Sequence, residues 1–123
     1  EVMALVTVPV GASQGSGNPV NYYTYRAIKG HVWMKLTDVS INGGARWYSA
    51  LYWINLIDST GHVWSDTFIT KDWGVPAPYK QIATIPSGKS VRMCVTAQVT
   101  KTDGYGLFNT WTANLQWDNL NVQ

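Results

Sequence analysis

From Ser90 to Lys101 the chain alternates without interruption. Val91, Met93, Val95, Ala97 and Val99 fall on one parity; Arg92, Cys94, Thr96, Gln98 and Thr100 fall on the other. A period of two places successive side chains on opposite faces of a strand, so this segment predicts a β-strand with one apolar face. The same sorting recurs towards the C-terminus. Leu107, Trp111, Ala113, Leu115 and Trp117 oppose Phe108, Thr110, Thr112, Asn114 and Gln116. Earlier in the chain, Val32, Met34 and Leu36 oppose Trp33, Lys35 and Thr37. No window holds a helical period.

β-branched and aromatic runs separated by Gly, Pro and Asn predict strands over Val2–Val10, Tyr22–Ile28, His31–Ile41, Arg46–Ile57, His62–Thr70, Tyr79–Ile85, Ser90–Lys101 and Gly106–Trp117, with a short last strand over Leu120–Gln123. Asn42-Gly43-Gly44 is a strong hairpin signal. Asp58-Ser59-Thr60-Gly61, Pro86-Ser87-Gly88 and Asp103-Gly104 also read as turns. Residues 73–78 carry two prolines, which remove ladder donors, and read as an irregular loop. Strands apolar on one face need a second sheet over that face. The expected fold is therefore all-β, an antiparallel β-sandwich of eight to nine strands, jelly-roll-like.

Two regions break the pattern. On Arg46–Ile57, Tyr48, Ala50, Tyr52, Ile54 and Leu56 read as the core face, yet Trp47, Leu51 and Trp53 share the other face with Ser49 and Asn55. Such a strand is either covered twice or displays aromatics. At the N-terminus, the apolar strand of residues 1–10 runs into 11–19, whose Gly, Ser and Asn content is that of a flexible linker. The expected organisation is a strand at 1–10, a linker at 11–19 and a β-sandwich domain at 20–123. A first strand on a tether can pair with its own sheet or with a second copy, which opens a route to homo-oligomers through residues 1–10.

Composition narrows the function classes. Length (123 residues) and a 46% hydrophobic content allow one domain with one core. Charged residues make up only 13%, against roughly 25% in an average domain, so solubility rests on uncharged polar side chains. A net charge of +2 with scattered Lys and Arg argues against nucleic acid. No apolar run is long enough for a membrane-spanning helix. One cysteine, Cys94, excludes an internal disulfide. The chain opens at Glu1 without an initiator Met, as expected after removal of a signal peptide, and the expected location is extracellular or at the cell surface.

Catalytic signatures do not assemble. Residues 83–90 match a relaxed phosphate-loop pattern, but that chemistry needs helix amides after Lys89, and a strand follows instead. Gly30-His31-Val32-Trp33 recurs as Gly61-His62-Val63-Trp64, which reads as two similar strand entries rather than paired metal ligands. Cys94 has no histidine tied to it by sequence, and no spacing pairs Asp38 with Asp66 for acid–base work. The chain is read as not an enzyme. The informative excess is aromatic, with seven Trp and seven Tyr. Parity assigns Trp111 and Trp117 to the core. It places Trp33, Trp47, Trp53 and Trp64 on outer faces, and Trp73 in a loop. Exposed indoles stack on sugar rings or anchor protein interfaces.

The segment Leu115-Gln116-Trp117-Asp118-Asn119-Leu120-Asn121-Val122, with the preceding turn Ile85-Pro86-Ser87-Gly88-Lys89, resembles the closing strands of galactose-binding-like jelly rolls. The resemblance covers about a third of the chain. Many members of that group are carbohydrate-binding modules, and many hold a structural calcium. It implies Asp118 as a metal ligand, with Glu1 a poor match for a second; no other cofactor is implied. The leading expectation is a secreted, non-catalytic module that recognises a glycan through Trp33, Trp47, Trp53, Trp64 and Trp73. The alternative is a self-assembling or partner-binding extracellular subunit with a strand-donating N-terminus, as in a filament, coat or toxin component.

Overall fold

The computed structural model describes residues 5–41, 46–101, 104–105 and 108–122. The chain forms β1 (Val6–Gly15), β2 (Pro19–Ile41), β3 (Trp47–Asp58), β4 (Thr67–Asp72), β5 (Lys80–Lys101), β6 (Gly104–Tyr105) and β7 (Phe108–Trp117). These make one antiparallel seven-stranded sheet in the order β1-β7-β2-β5-β3-β4, with β6 paired to β5 off that path. All-β and antiparallel therefore hold. Two separate sheets and eight to nine strands do not.

The strand count falls because two expected breaks between strands, 29–30 and 86–89, lie inside long strands. Tyr22–Ile28 and His31–Ile41 fuse into β2, which passes through Gly30 at φ 90°. Tyr79–Ile85 and Ser90–Lys101 fuse into β5. There Ile28 pairs with Lys89 and Gly30 with Ile85, so Pro86-Ser87-Gly88 is extra length on one strand. A bulge of this kind tolerates the missing proline donor and bends the strand. Residues 11–15, expected as linker, continue β1, and β2 begins at Pro19. The expected strand His62–Thr70 shrinks to β4 preceded by isolated bridges at Val63 and Ser65, and 120–122 is not strand. The Asn42-Gly43-Gly44 signal, Asp103 and Leu107 lie outside the described residues.

Long strands let the single sheet curl over itself. The first half of β2 pairs with β5 and the second half with β7. The sheet's inner face then closes on a core that includes Val32, Met34, Leu36, Tyr52, Ile54, Val95, Trp111 and Leu115. Trp111 of β7 thereby meets Tyr52 of β3 at 5.5 Å between ring centres, although two strands separate them in the sheet.

A polar cluster locks this closure. Tyr22 Oη and Trp111 Nε1 both donate to Gln14 Oε1, at 2.6 and 3.0 Å, while Gln14 Nε2 donates to the Val95 carbonyl at 3.0 Å. Asn109 Nδ2 donates to the Gln14 carbonyl at 3.0 Å, and Asn109 Oδ1 accepts from Tyr52 Oη at 2.5 Å. Gln14 and Asn109 are buried, and buried polar groups are tolerated when paired in this way. The cluster ties β1 to β2, β3, β5 and β7 of its own chain. Burial raises the Tyr22 hydroxyl pKa, against a lowering by the hydrogen bond with Trp111; burial and then the neighbouring Tyr22 raise Tyr52.

Candidate functional site

The outer face of β3 is the surface that parity marked. Trp53 of β3 lies opposite Phe68 of β4 and Thr96 of β5 in the ladder. Its indole and the Phe68 ring stand 6.0 Å apart and nearly parallel, at 21°. Both remain in solvent, Trp53 37% and Phe68 46% exposed. Trp53 Nε1 donates to Asp66 Oδ1 at 2.5 Å, which fixes the indole edge. β4 ends the strand order, so among the described residues no further strand lies beyond Phe68. Polar neighbours surround the rings. Asn55 and Thr70 flank them along β3 and β4, and Gln98 and Thr96 lie on β5, with Gln98 and Thr70 exposed. Two aromatic rings with carboxylate, amide and hydroxyl groups around them can hold a ligand with both apolar faces and hydroxyl groups.

The other four indoles lie elsewhere. Trp47 is a correction: it is 2% exposed, its Nε1 donates to the Val39 carbonyl at 3.0 Å, and Tyr48 is 50% exposed in its place. A register shift between Trp47 and Ser49 in the β3–β5 pairing inverts parity at the strand's first residues, while Ala50, Tyr52, Ile54 and Leu56 keep the expected core face. Trp73, exposed, packs edge-on against Trp47 at 5.5 Å with the Arg46 guanidinium 5.9 Å from its ring. Trp33 and Trp64 are half-buried, each beside a histidine. Among the described residues the ring contacts of these tryptophans fall into separate pairs, so the five do not form one platform. Phe68 was missed. Its only signal was a parity shared with Trp64; joining it to Trp53 required the register across the eight-residue connection, 59–66, between β3 and β4.

The two Gly-His-Val-Trp copies share a backbone device. Gly30 and Gly61 take φ values of 90° and 89°, and each following His amide donates to an Asp Oδ1, Asp118 at 3.0 Å and Asp58 at 3.1 Å. Val32 is buried, whereas Val63 is exposed, so the two copies place their valine differently. Asp58 also accepts from the Thr60 amide and hydroxyl and from Trp64 Nε1. The Thr60 and Trp64 side-chain hydrogen bonds hold its carboxyl pKa well below the usual range. At Asp118 burial acts to raise the pKa, but the His31 side chain and the Leu120 and His31 amides outweigh it and lower the value. His31 Nδ1 meets Asp118 Oδ2 at 2.6 Å.

Asp118 therefore faces protein N–H groups, not the oxygen ligands that calcium needs. Glu1 lies outside the described residues. No group of three or more His, Cys, Asp or Glu side chains converges among the described residues. Among the described residues, the Asp118 carboxylate is taken up by the His31 and Leu120 N–H groups and the His31 ring. Cys94 is buried between Asn21 and Asn55 in the ladder, and burial pushes its thiol pKa up. Lys89, the phosphate-loop lysine, sits within β5 with its ammonium 6.0 Å from the Trp64 ring centre. Among the described residues no helix is long and apolar enough to cross a membrane. The chain matches no protein-family model and no curated protein at a significant level.

Proposed function

We propose that this chain is an extracellular, non-catalytic module that binds a glycan on the outer face of β3 and β4. The observation that carries the reading is the exposed, nearly parallel Trp53–Phe68 pair at the edge of the sheet, with Asp66 on the indole edge. Sugar rings offer apolar C–H faces and a rim of hydroxyls; the ring pair suits the first and Asp66, Asn55, Thr70 and Gln98 the second. The ligand-contacting set is then Trp53, Phe68 and Asp66, with Trp73 as a flanking aromatic at the far end of the same strand pair. Low charge and a surface dependent on neutral polar groups agree with an extracellular setting.

The alternative, a strand-donating subunit, requires β1 to leave its own sheet. β1 pairs with β7 over all ten of its residues, and Gln14 anchors it in the core. Donation would break that anchor. Pull-down on insoluble polysaccharides, together with a glycan array, tests the proposal. Wild type should bind at least one glycan, Trp53→Ala and Phe68→Ala should lose most of that binding, and Trp64→Ala should keep it. Binding to no glycan, or undiminished binding by the Trp53 and Phe68 variants, overturns it.

A further inference from the structure

Apart from the Trp53–Phe68 face, an open cleft of about 220 Å³ lies between β1 and the first half of β2. Its floor is apolar, built by Trp111, Leu115, Ile28, Leu56, Val91 and Met93. Two features of the fold create it. β1 pairs only with β7, so its other edge carries no strand. Opposite that edge, β2 loses register with β5 between Tyr22 and Arg26, and 23–25 have no partner there.

The lining includes two cations, Arg26 and Arg92, and no acidic residue. They are not equivalent. The Arg92 Nη1 donates to Asn21 Oδ1 at 2.5 Å, and its guanidinium lies 5.3 Å from the Tyr23 ring. The Arg26 side chain is half-buried, yet it makes no ion pair or hydrogen bond with any described residue. A guanidinium at the rim of an apolar cleft with no anion beside it is matched best by a carboxylate, which it holds by two parallel bonds. A cleft of this volume has room for a single ring or a short hydrocarbon chain.

We infer that this cleft binds an apolar monocarboxylate, a short hydrocarbon chain or single ring whose body lies against the partly buried Tyr22 and Met93, above the core layer of Trp111 and Leu115, and whose carboxylate pairs with Arg26. The site is separate from the Trp53–Phe68 face and does not depend on glycan binding there. Octanoate is the probe, with 1-octanol as the uncharged control, followed by the indole N–H resonances in ¹H–¹⁵N spectra. Octanoate should bind saturably and move the Trp111 resonance while leaving that of Trp53 in place. Arg26→Gln should weaken octanoate by about tenfold or more, the factor expected for one lost charge-assisted contact. Arg26→Lys, which keeps the charge but not the two parallel bonds, should fall between wild type and Arg26→Gln, and octanol should bind both variants as it binds wild type. Thermal melts establish that each variant is folded. Failure of octanoate to saturate by about 10 mM, a range that already admits very weak binding, or equal octanoate affinity in folded Arg26→Gln, overturns the inference.

Discussion

Trp111 and Trp53 occupy mirrored places in the sheet, one strand in from either end of the order. Each donates its indole N–H to a side-chain oxygen. The acceptor of Trp111 is buried Gln14, which is itself tied to Tyr22 and Val95; the acceptor of Trp53 is exposed Asp66. One indole is part of how the sheet closes, and the other is displayed by it. Residue type and strand position do not separate these roles. What separates them is whether the curled sheet brings another layer over the ring.

The largest break in that comparison should come from Trp111→Ala. It opens a core cavity and removes a donor from Gln14, and should cost about 3–5 kcal/mol in denaturant unfolding. Gln14→Leu comes next. It strips partners from Tyr22, Trp111 and the Val95 carbonyl, and buried groups left unpaired cost about 1–3 kcal/mol each. Its melting temperature should fall well below wild type, and a value within error of wild type would mean that β1 is not anchored through this side chain.

Gly30→Ala and Gly61→Ala form a matched pair. Both place an L side chain at positive φ, a strain of about 1–3 kcal/mol. At Gly30 an added Cβ would also come within 1.9 Å of Asp118 Oδ1, whereas at Gly61 it meets nothing within 4 Å. The first should therefore destabilise clearly more than the second in the same unfolding assay.

Acid should expose the two aspartates behind those glycines. Asp58 and Asp118 both have carboxyl pKa values lowered by folding. A lowered folded value means that the stabilisation is present above the unfolded carboxylate pKa of about 4 and is lost as pH falls below it. Melting temperature should drop as pH falls through that window, and Asp58→Asn or Asp118→Asn should flatten the drop.

The smallest effect on folding should be that of Trp53→Ala, about 1 kcal/mol, because the ring is partly exposed and its contacts are with the exposed Phe68 and Asp66. Its effect on glycan affinity should be about 1–3 kcal/mol, in the range of an interface anchor, by isothermal titration.

Much of the fold was legible because period two is a local signal. The inner faces of β5 and β7 came directly from alternation at Val91–Val99 and Trp111–Trp117. Other features depended on partners distant in sequence. The Gly and Ser of residues 11–15 have linker composition, yet Gln14 is drawn into a buried cluster whose other members lie eight or more positions away. Trp47 was misplaced because a bulge inverts parity for one or two residues and leaves no mark in composition. Pro86 and Gly88 look like a turn and act as a bulge, since only the partner strand decides between them. At the candidate site, Trp53 was readable from its parity with Ser49 and Asn55, but Phe68 became part of the site only through cross-strand register.

The central claim is that the displayed indole, not the enclosed one, meets the ligand. Indole N–H resonances of the seven tryptophans, assigned by single Trp→Phe substitutions, can be followed while a glycan selected by the array is titrated. The account predicts that the Trp53 signal shifts saturably while those of Trp111 and Trp117 stay fixed. A titration in which Trp53 stays fixed, or in which Trp111 moves and Trp53 does not, would contradict it.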